Sequence, residues 1–478
     1  MSEDLFRLDA VAQAERVRRG QVSPRELVDA AIARIEKTNP AVHAVIHERF
    51  ERARAEAASP ELPDGPFRGV PILMKDIGGQ SAGDPHHAGM RCLRDARWTE
   101  GADSFFTAKL RRAGFVILGR TNTPELALMA TTEPDAYGPT RNPWSLAHSA
   151  GGSSGGAAAA VAAGMVAVAH ASDGGGSIRI PAAHCALVGL KPTRGRSSFG
   201  PGLGERWGGF SVEFAVSKSV RDAAALLDVV NGPMPGDPYF APPPERPYAQ
   251  EVGAAPPRLR IGLLQRGPRG LAVHEDCAAA VYATARALEG LGHSVEEAHP
   301  EALDEPKAVA SFVVVVSCSV ARALDAWGEK LGRTLGEDDV EPLTWALSEQ
   351  GRAIGAARYL EAIEFVHGFG RRVAAWWESG FDLLLTPTTA APPPRIGELA
   401  SSKEVPLAPF LRAAPYGAFT SSFNLTGQPA ISLPVHWNAE GLPLGAQLVA
   451  AYAREDLLLR VASEIEQVAP WHNRHANV

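Results

Sequence analysis

Two glycine-rich turns, each carrying a serine, lie within the stretch Ser149 to Pro192. The first reads Gly151-Gly152-Ser153-Ser154-Gly155-Gly156 and the second Asp173-Gly174-Gly175-Gly176-Ser177. Glycine at this density marks backbone in conformations that other residues resist, or backbone pressed against a ligand. A serine on such a turn is a candidate nucleophile, though a weak one until a base takes its proton. The base on offer is Lys75, which closes the apolar run Val70-Pro-Ile-Leu-Met-Lys75 ahead of Gly78-Gly79. A lysine acts as a base only when neutral, and burial supplies that neutrality by desolvation. Where the lysine does not reach the nucleophile, the other serine relays the proton, because a hydroxyl both donates and accepts. The successive N–H groups of Gly174, Gly175, Gly176 and Ser177 form a nest suited to a developing oxyanion.

Competing readings of the same glycines fail on context. A P-loop needs Gly-Lys-Ser/Thr, and Gly156 runs into Ala157-Ala158. A Rossmann turn and a nucleophile elbow both need a strand in front, whereas Gly151 follows the polar stretch Arg141 to His148, read as a loop. An S-x-x-K site would place its lysine after the serine, and Lys75 lies upstream of both.

The elements that must position these residues alternate between helix and strand. Residues 4 to 58 read as a helical arm, with a capping box at Ser23-Pro-Arg-Glu26, a Val22–Leu27 staple and a stop at Asn39-Pro40. A strand ends at Lys75 and another covers Phe115 to Leu118. Thr123-Pro124 then predicts a helix that lasts until Glu133-Pro134. A helix covers Ser219 to Asn231, and residues 233–257, rich in proline, read as a linker. Beyond it come the strand Leu259 to Leu264, the helix His274 to Leu291 and the strand His293 to Glu297. Residues 306–378 are mainly helical, and strands follow at Asp382 to Thr386, Ala430 to Val435 and Gly445 to Ala451, before a final helix at Glu455 to Val468. The alternation predicts an α/β fold with a central mixed sheet flanked by helices. It divides as an arm (1–60), a core (66–232), the linker (233–257) and a second α/β part (258–478) completing the same sheet in a single domain.

Of the 478 residues 45% are hydrophobic and 21% charged, which excludes a disordered chain. A net charge of −7 argues against a nucleic-acid or anionic-membrane partner. No stretch reads as the ~20 apolar residues of a membrane span, and the charged start lacks a secretory h-region. The four cysteines are widely spaced, which suggests neither a metal site nor a disulfide framework. A cytoplasmic protein with no metal is the expectation. Cys185 and Cys318 read as buried filler and Trp376-Trp377 as helix packing.

Lys75, the GGSSGG run, the SDGGGSIRIP run and Gly189-Leu-Lys-Pro192 together resemble the amidase signature family, serine hydrolases with a Ser-cisSer-Lys triad. The 24-residue separation of Ser153 and Ser177 matches the family spacing. The likeness extends to Gly119-Arg-Thr-Asn122, Asn142-Pro-Trp144 and Asn424 to Ala430. It implies Ser177 as nucleophile, Ser153 as the bridging serine at a cis peptide and Lys75 as base. It implies Gly174, Gly175, Gly176 and Ser177 as the oxyanion hole, with Asp173 and Arg179 as braces of the turn. Thr131-Thr-Glu-Pro134, Lys191 to Arg196 and Glu337-Asp-Asp-Val340 are most similar to amidases that hydrolyse cyclic dimers of 6-aminohexanoate. Gly174 stands where many members carry Thr or Ile, which would widen the site. Thr131 and Trp207 are candidate substrate contacts, and residues 198–214 a candidate lid.

The expected activity is cofactor-independent cleavage of small or oligomeric carboxamides through an acyl-enzyme. Carbamates or aryl acylamides are alternative substrates for the same triad. A glutamine amidase subunit of a tRNA-dependent amidotransferase is a third reading, and a homodimer is a possible assembly.

Overall fold

The computed structural model describes residues 5–478. The first four residues of the predicted arm lie outside this range. The strands are β1 (Val45–Glu48), β2 (Pro71–Lys75), β3 (Val116–Thr121), β4 (Arg141–Asn142), β5 (Ser145–Ser149), β6 (Val168–Asp173), β7 (Val188–Lys191) and β8 (Val212–Ser217), followed in the second half by β9 (Arg260–Leu263), β10 (Ser294–Glu297), β11 (Leu383–Pro387), β12 (Ala430–Trp437) and β13 (Pro443–Ala450). Eleven of them form one mixed sheet in the order β1-β3-β2-β6-β8-β7-β12-β13-β11-β9-β10, with helices packed against it. Strand β2 runs parallel to β3 and β6, so Lys75 and Asp173 close neighbouring strands at the same sheet edge. The crevice outside the carboxyl ends of such strands is where α/β sheets bind ligands.

The two halves of the chain meet where β7 pairs antiparallel with β12, Leu190 opposite Ile431. The proline-rich stretch between them is fastened down. Arg196 donates to the Pro242 carbonyl (2.6 Å) while pairing with buried Glu455 (3.0 Å). Asp228 accepts from the Tyr248 and Ala249 N–H groups at 2.7 and 2.9 Å.

Local rules account for most element ends. The Ser23–Glu26 capping box opens the helix Pro24–Val42, with buried Leu27 beneath. That helix does not stop at Asn39-Pro40. Pro40 falls in its last turn, and the chain leaves at His43, in the left-handed region at φ 56°, with Asn39 Oδ1 accepting from the Ala44 and Val45 N–H groups. The arm also contains a strand, β1, which covers the edge of β3.

The helix expected from Thr123 to Pro134 is absent. Only a single turn forms at Glu125–Ala127, because Leu126 and Ala127 take φ values of 49° and 62°. Tertiary contacts outweigh the cap here: Thr123 Oγ1 donates to the Ser153 carbonyl at 3.0 Å instead of capping.

Ahead of Gly151, β5 replaces the expected loop, but it pairs with β4 in a small hairpin outside the main sheet and bridges to Arg395 through His148. The elbow reading therefore still lacks its sheet strand.

Among the described residues one helix, Pro306–Leu331, is long and apolar enough to cross a membrane, with a mean hydropathy of 1.7 over its most apolar window, contrary to the expectation that no stretch qualifies. Half of that window is buried inside the protein, and the helix packs on Pro342–Ala353 and Ala356–Glu378. It reads as a core helix. Cys318, on this helix, is only partly buried, whereas Cys185 is fully buried.

Candidate active site

Lys75 is completely buried at the end of β2, and its ammonium nitrogen donates to Ser153 Oγ at 2.7 Å and to Ser172 Oγ at 3.1 Å. Its backbone N–H donates to His170 Nδ1 at 3.2 Å, which leaves the proton of a neutral His170 on Nε2. Arg120, buried beneath, donates to the carbonyls of Lys75, Gly78 and Gly79 at 2.9 to 3.2 Å and fixes the loop that follows β2.

Burial pushes the Lys75 ammonium down to about 7; Asp173 and Glu213 oppose that shift and Arg206 reinforces it. Glu213 lies on β8, opposite Ser172 of β6, with Oε1 accepting from the Gly79 N–H at 3.2 Å. Burial thus shifts Lys75 toward the neutral amine that a base must be.

Ser153 is also fully buried and follows a cis peptide bond at Gly152. No side chain fits at Gly152, where a Cβ would lie 2.5 Å from the Thr131 carbonyl oxygen. The first turn is bound to the second by the Ser154 N–H, which donates to the Ser177 carbonyl at 3.2 Å. Ser177 is only half-buried and lines an open cavity of about 230 Å³.

The second turn is held by a buried ion pair. Arg179 grips Asp173 through Nε and Nη2 at 3.0 and 2.9 Å, both side chains fully buried. Burial alone would raise the Asp173 acid, but Arg179 and its hydrogen bonds hold it far below the usual carboxylate range. Arg179 is satisfied in turn by the Thr420 carbonyl (3.0 Å), Gln447 (2.8 Å) and Asn424 (2.7 Å). Asn424 also donates to the Asp173 carboxylate and carbonyl, each at 2.9 Å. Asp173 and Arg179 are thus braces, away from the cavity lining.

The same brace changes the expected oxyanion hole. The Gly176 N–H donates to Asp173 Oδ1 at 2.8 Å, so it is committed to holding the turn. Among the described residues the N–H groups of Gly174, Gly175 and Ser177 have no protein acceptor and remain for a ligand. Gly176 is glycine for its φ of 132° and because a Cβ there would meet Thr420 Oγ1 at 2.3 Å.

Gly174 does not widen the site. A Cβ there would lie 2.7 Å from the Trp207 ring, which occupies the vacated space. Trp207 lines the cavity, edge-on to Phe312 with ring centroids 6.3 Å apart. Thr131 does not line it: its neighbours Met129 and Ala130 do, while Thr131 is buried behind the first turn. Within the candidate lid, Phe210 is core and β8 starts at Val212. The rest of the cavity wall is nearly all apolar, with Leu128, Phe312, Val316 and Phe410 among its residues and Arg269 as the one charge.

The sequence reading gave no role to Ser172, Glu213, His170, Thr420 or Gln447. Asn424 lay in the run Asn424 to Ala430 without an assigned function. That run was the available signal.

The family model named Amidase matches residues 26–459. The 6-aminohexanoate-cyclic-dimer hydrolase of Pseudomonas sp. (strain NK87) is 45% identical over 471 residues, 97% of this chain and 95% of the relative. A solved structure of 6-aminohexanoate cyclic dimer hydrolase complexed with substrate superposes with a TM-score of 0.96 at 44% identity, covering 99% of each chain. A bacterial aryl acylamidase of the amidase signature family follows at a TM-score of 0.88 and 29% identity, with 97% of each chain covered.

Proposed function

The chain belongs to the amidase signature family and is an amidase, and from that premise we propose that it hydrolyses uncharged, methylene-rich amides, cyclic aminohexanoate oligomers first among them, with Ser177 as nucleophile, Ser153 as relay and Lys75 as base. The observation that carries the chemistry is the 2.7 Å bond from a buried lysine to Ser153, whose turn is hydrogen-bonded to the turn of a half-exposed Ser177 on an apolar cavity. In this reading neutral Lys75 draws the Ser153 proton as Ser153 takes that of Ser177. Ser177 Oγ attacks the amide carbonyl, and the oxyanion is met by N–H groups of the second turn. The relay runs backward to protonate the leaving nitrogen, and water releases the acyl group by the same steps.

The substrate class rests on the match to the cyclic-dimer hydrolases, 45% identical over nearly the full chain, and on a cavity wall that offers alkyl contacts and a single charge. The test is a panel of cyclic and linear aminohexanoate oligomers, aryl amides and carbamates, assayed on wild type and Ser177→Ala. The reading expects the cyclic dimer to give the highest kcat/KM, with loss of nearly all turnover in the variant. Turnover that survives Ser177→Ala would sink the mechanism. Higher kcat/KM on aryl amides or carbamates would move the substrate assignment, and dependence on ATP and partner subunits would favour an amidotransferase role.

A further inference from the structure

A second chamber, of about 750 Å³, lies on the other side of Trp207 from Ser177. Trp207 lines both spaces and is the partition between them. The chamber is walled by Phe199, Val320, Trp327 and Tyr359 among other apolar groups, but its charges are unevenly matched. Each acid on the wall is engaged. Glu100 pairs with His86 at 2.6 Å, Asp103 with Arg111 at 2.9 Å, and Glu205 accepts from the Gly209 N–H.

Arg206 is different. Among the described residues its guanidinium has no carboxylate within 4 Å and no hydrogen-bond partner; its near neighbour is the Phe199 ring at 6.0 Å. Lys330, at the rim, lies over the Trp327 ring at 4.3 Å and, among the described residues, has no carboxylate within 4 Å, with Glu100 as a counter-charge at longer range. The charge that offsets Arg206 is Glu213, beyond 4 Å; a partly buried guanidinium so loosely paired is costly, and its planar fork matches a carboxylate. One such fork in a chamber whose acids are already engaged and whose wall is largely aromatic and aliphatic suits a monoanion carrying an alkyl chain, rather than a dianion that would need more donors.

We propose that this chamber binds a short alkyl carboxylate, with Arg206 holding the carboxylate group and the aromatic wall the chain. The inference builds on the amidase reading, because amide hydrolysis releases such an acid; bound there, the acid stands across Trp207 from the catalytic cavity as a retained product or an inhibitor.

Binding is measured by calorimetry on Ser177→Ala, which removes turnover from the readout, with hexanoate, 6-aminohexanoate and neutral hexanamide as probes. Hexanoate should bind saturably and hexanamide roughly 10- to 100-fold more weakly, the worth of a charge-assisted hydrogen bond. Adding Arg206→Gln should weaken hexanoate by a similar factor, while Arg206→Lys should retain part of the affinity. Should the Arg206 variants fail to fold, Ala326→Phe, which fills the chamber from the helix side, should abolish hexanoate binding. Equal affinity for hexanamide, or hexanoate binding indifferent to Arg206→Gln and Ala326→Phe, would overturn the proposal. Neither result bears on catalysis by Ser177, which the substrate panel tests separately.

Discussion

Lys75 Nζ and Ser153 Oγ lie 2.7 Å apart in an environment from which both side chains are fully withdrawn from water. The desolvation that would make Lys75 a usable base would also make it a liability to the fold, and both consequences are measurable.

Activity should rise with pH through about 7 and level off on the alkaline side, because burial lowers the Lys75 ammonium to that value and only the neutral amine accepts a proton. A pH profile of kcat/KM checks this; a rate independent of pH between 5 and 9 would exclude Lys75 as base.

Lys75→Met should be inactive yet more stable near neutrality. The folded-state value, about 7, is below the ordinary 10.5, so between these limits the unfolded chain binds more protons and wild-type stability rises with pH. The penalty is complete below about 7 and gone above about 10.5. The gain of Lys75→Met should therefore be largest at low pH, on the order of a few kcal/mol before the lost hydrogen bonds are subtracted, and should shrink as pH rises in paired thermal melts.

Glu213→Gln should move the acid limb of the rate profile to lower pH. Burial and Arg206 drive Lys75 toward neutrality while Asp173 and Glu213 oppose them, so removing one opposing carboxylate favours the neutral amine further. A purely structural role would reduce rates uniformly and leave the midpoint in place.

Asp173→Asn should destabilise the protein by roughly 3–5 kcal/mol, since it leaves Arg179 buried without its counter-charge. It also weakens the anchor of the Gly176 and Ile178 N–H groups, which donate to that carboxylate at 2.8 and 3.1 Å. Denaturant unfolding reports the first effect and kcat the second.

Gly174→Thr should cost about 1–3 kcal/mol of stability by overpacking against Trp207 and should lower kcat. Combining it with Trp207→Ala should restore much of the stability. Strict additivity of the two changes in thermal melts would rule out the contact.

Much of the candidate site was legible in the chain because its residues lie in short runs. Lys75 ends an apolar strand, and the two glycine turns announce themselves by composition. The mixed sheet followed from the alternation of elements, and the capping box at Ser23 and the helix Glu455–Val468 followed from local rules.

Other features depend on residues far apart in sequence. Asn424 and Gln447 reach Arg179 from 245 and 268 residues away, and no local pattern encodes such a bond. The helix predicted after Thr123 yields to a hydrogen bond with Ser153, since a cap worth about 1 kcal/mol is outweighed by tertiary contacts. Gly174 reads as extra room until the fold lays Trp207 over it, and Gly176 reads as an oxyanion donor until Asp173 takes its N–H. The sequence by itself determined which groups could react and in which turns they sit. Only the tertiary structure decided their protonation, their free donors and the shape of the cavity, because burial and long-range hydrogen bonds arise only when distant segments pack together.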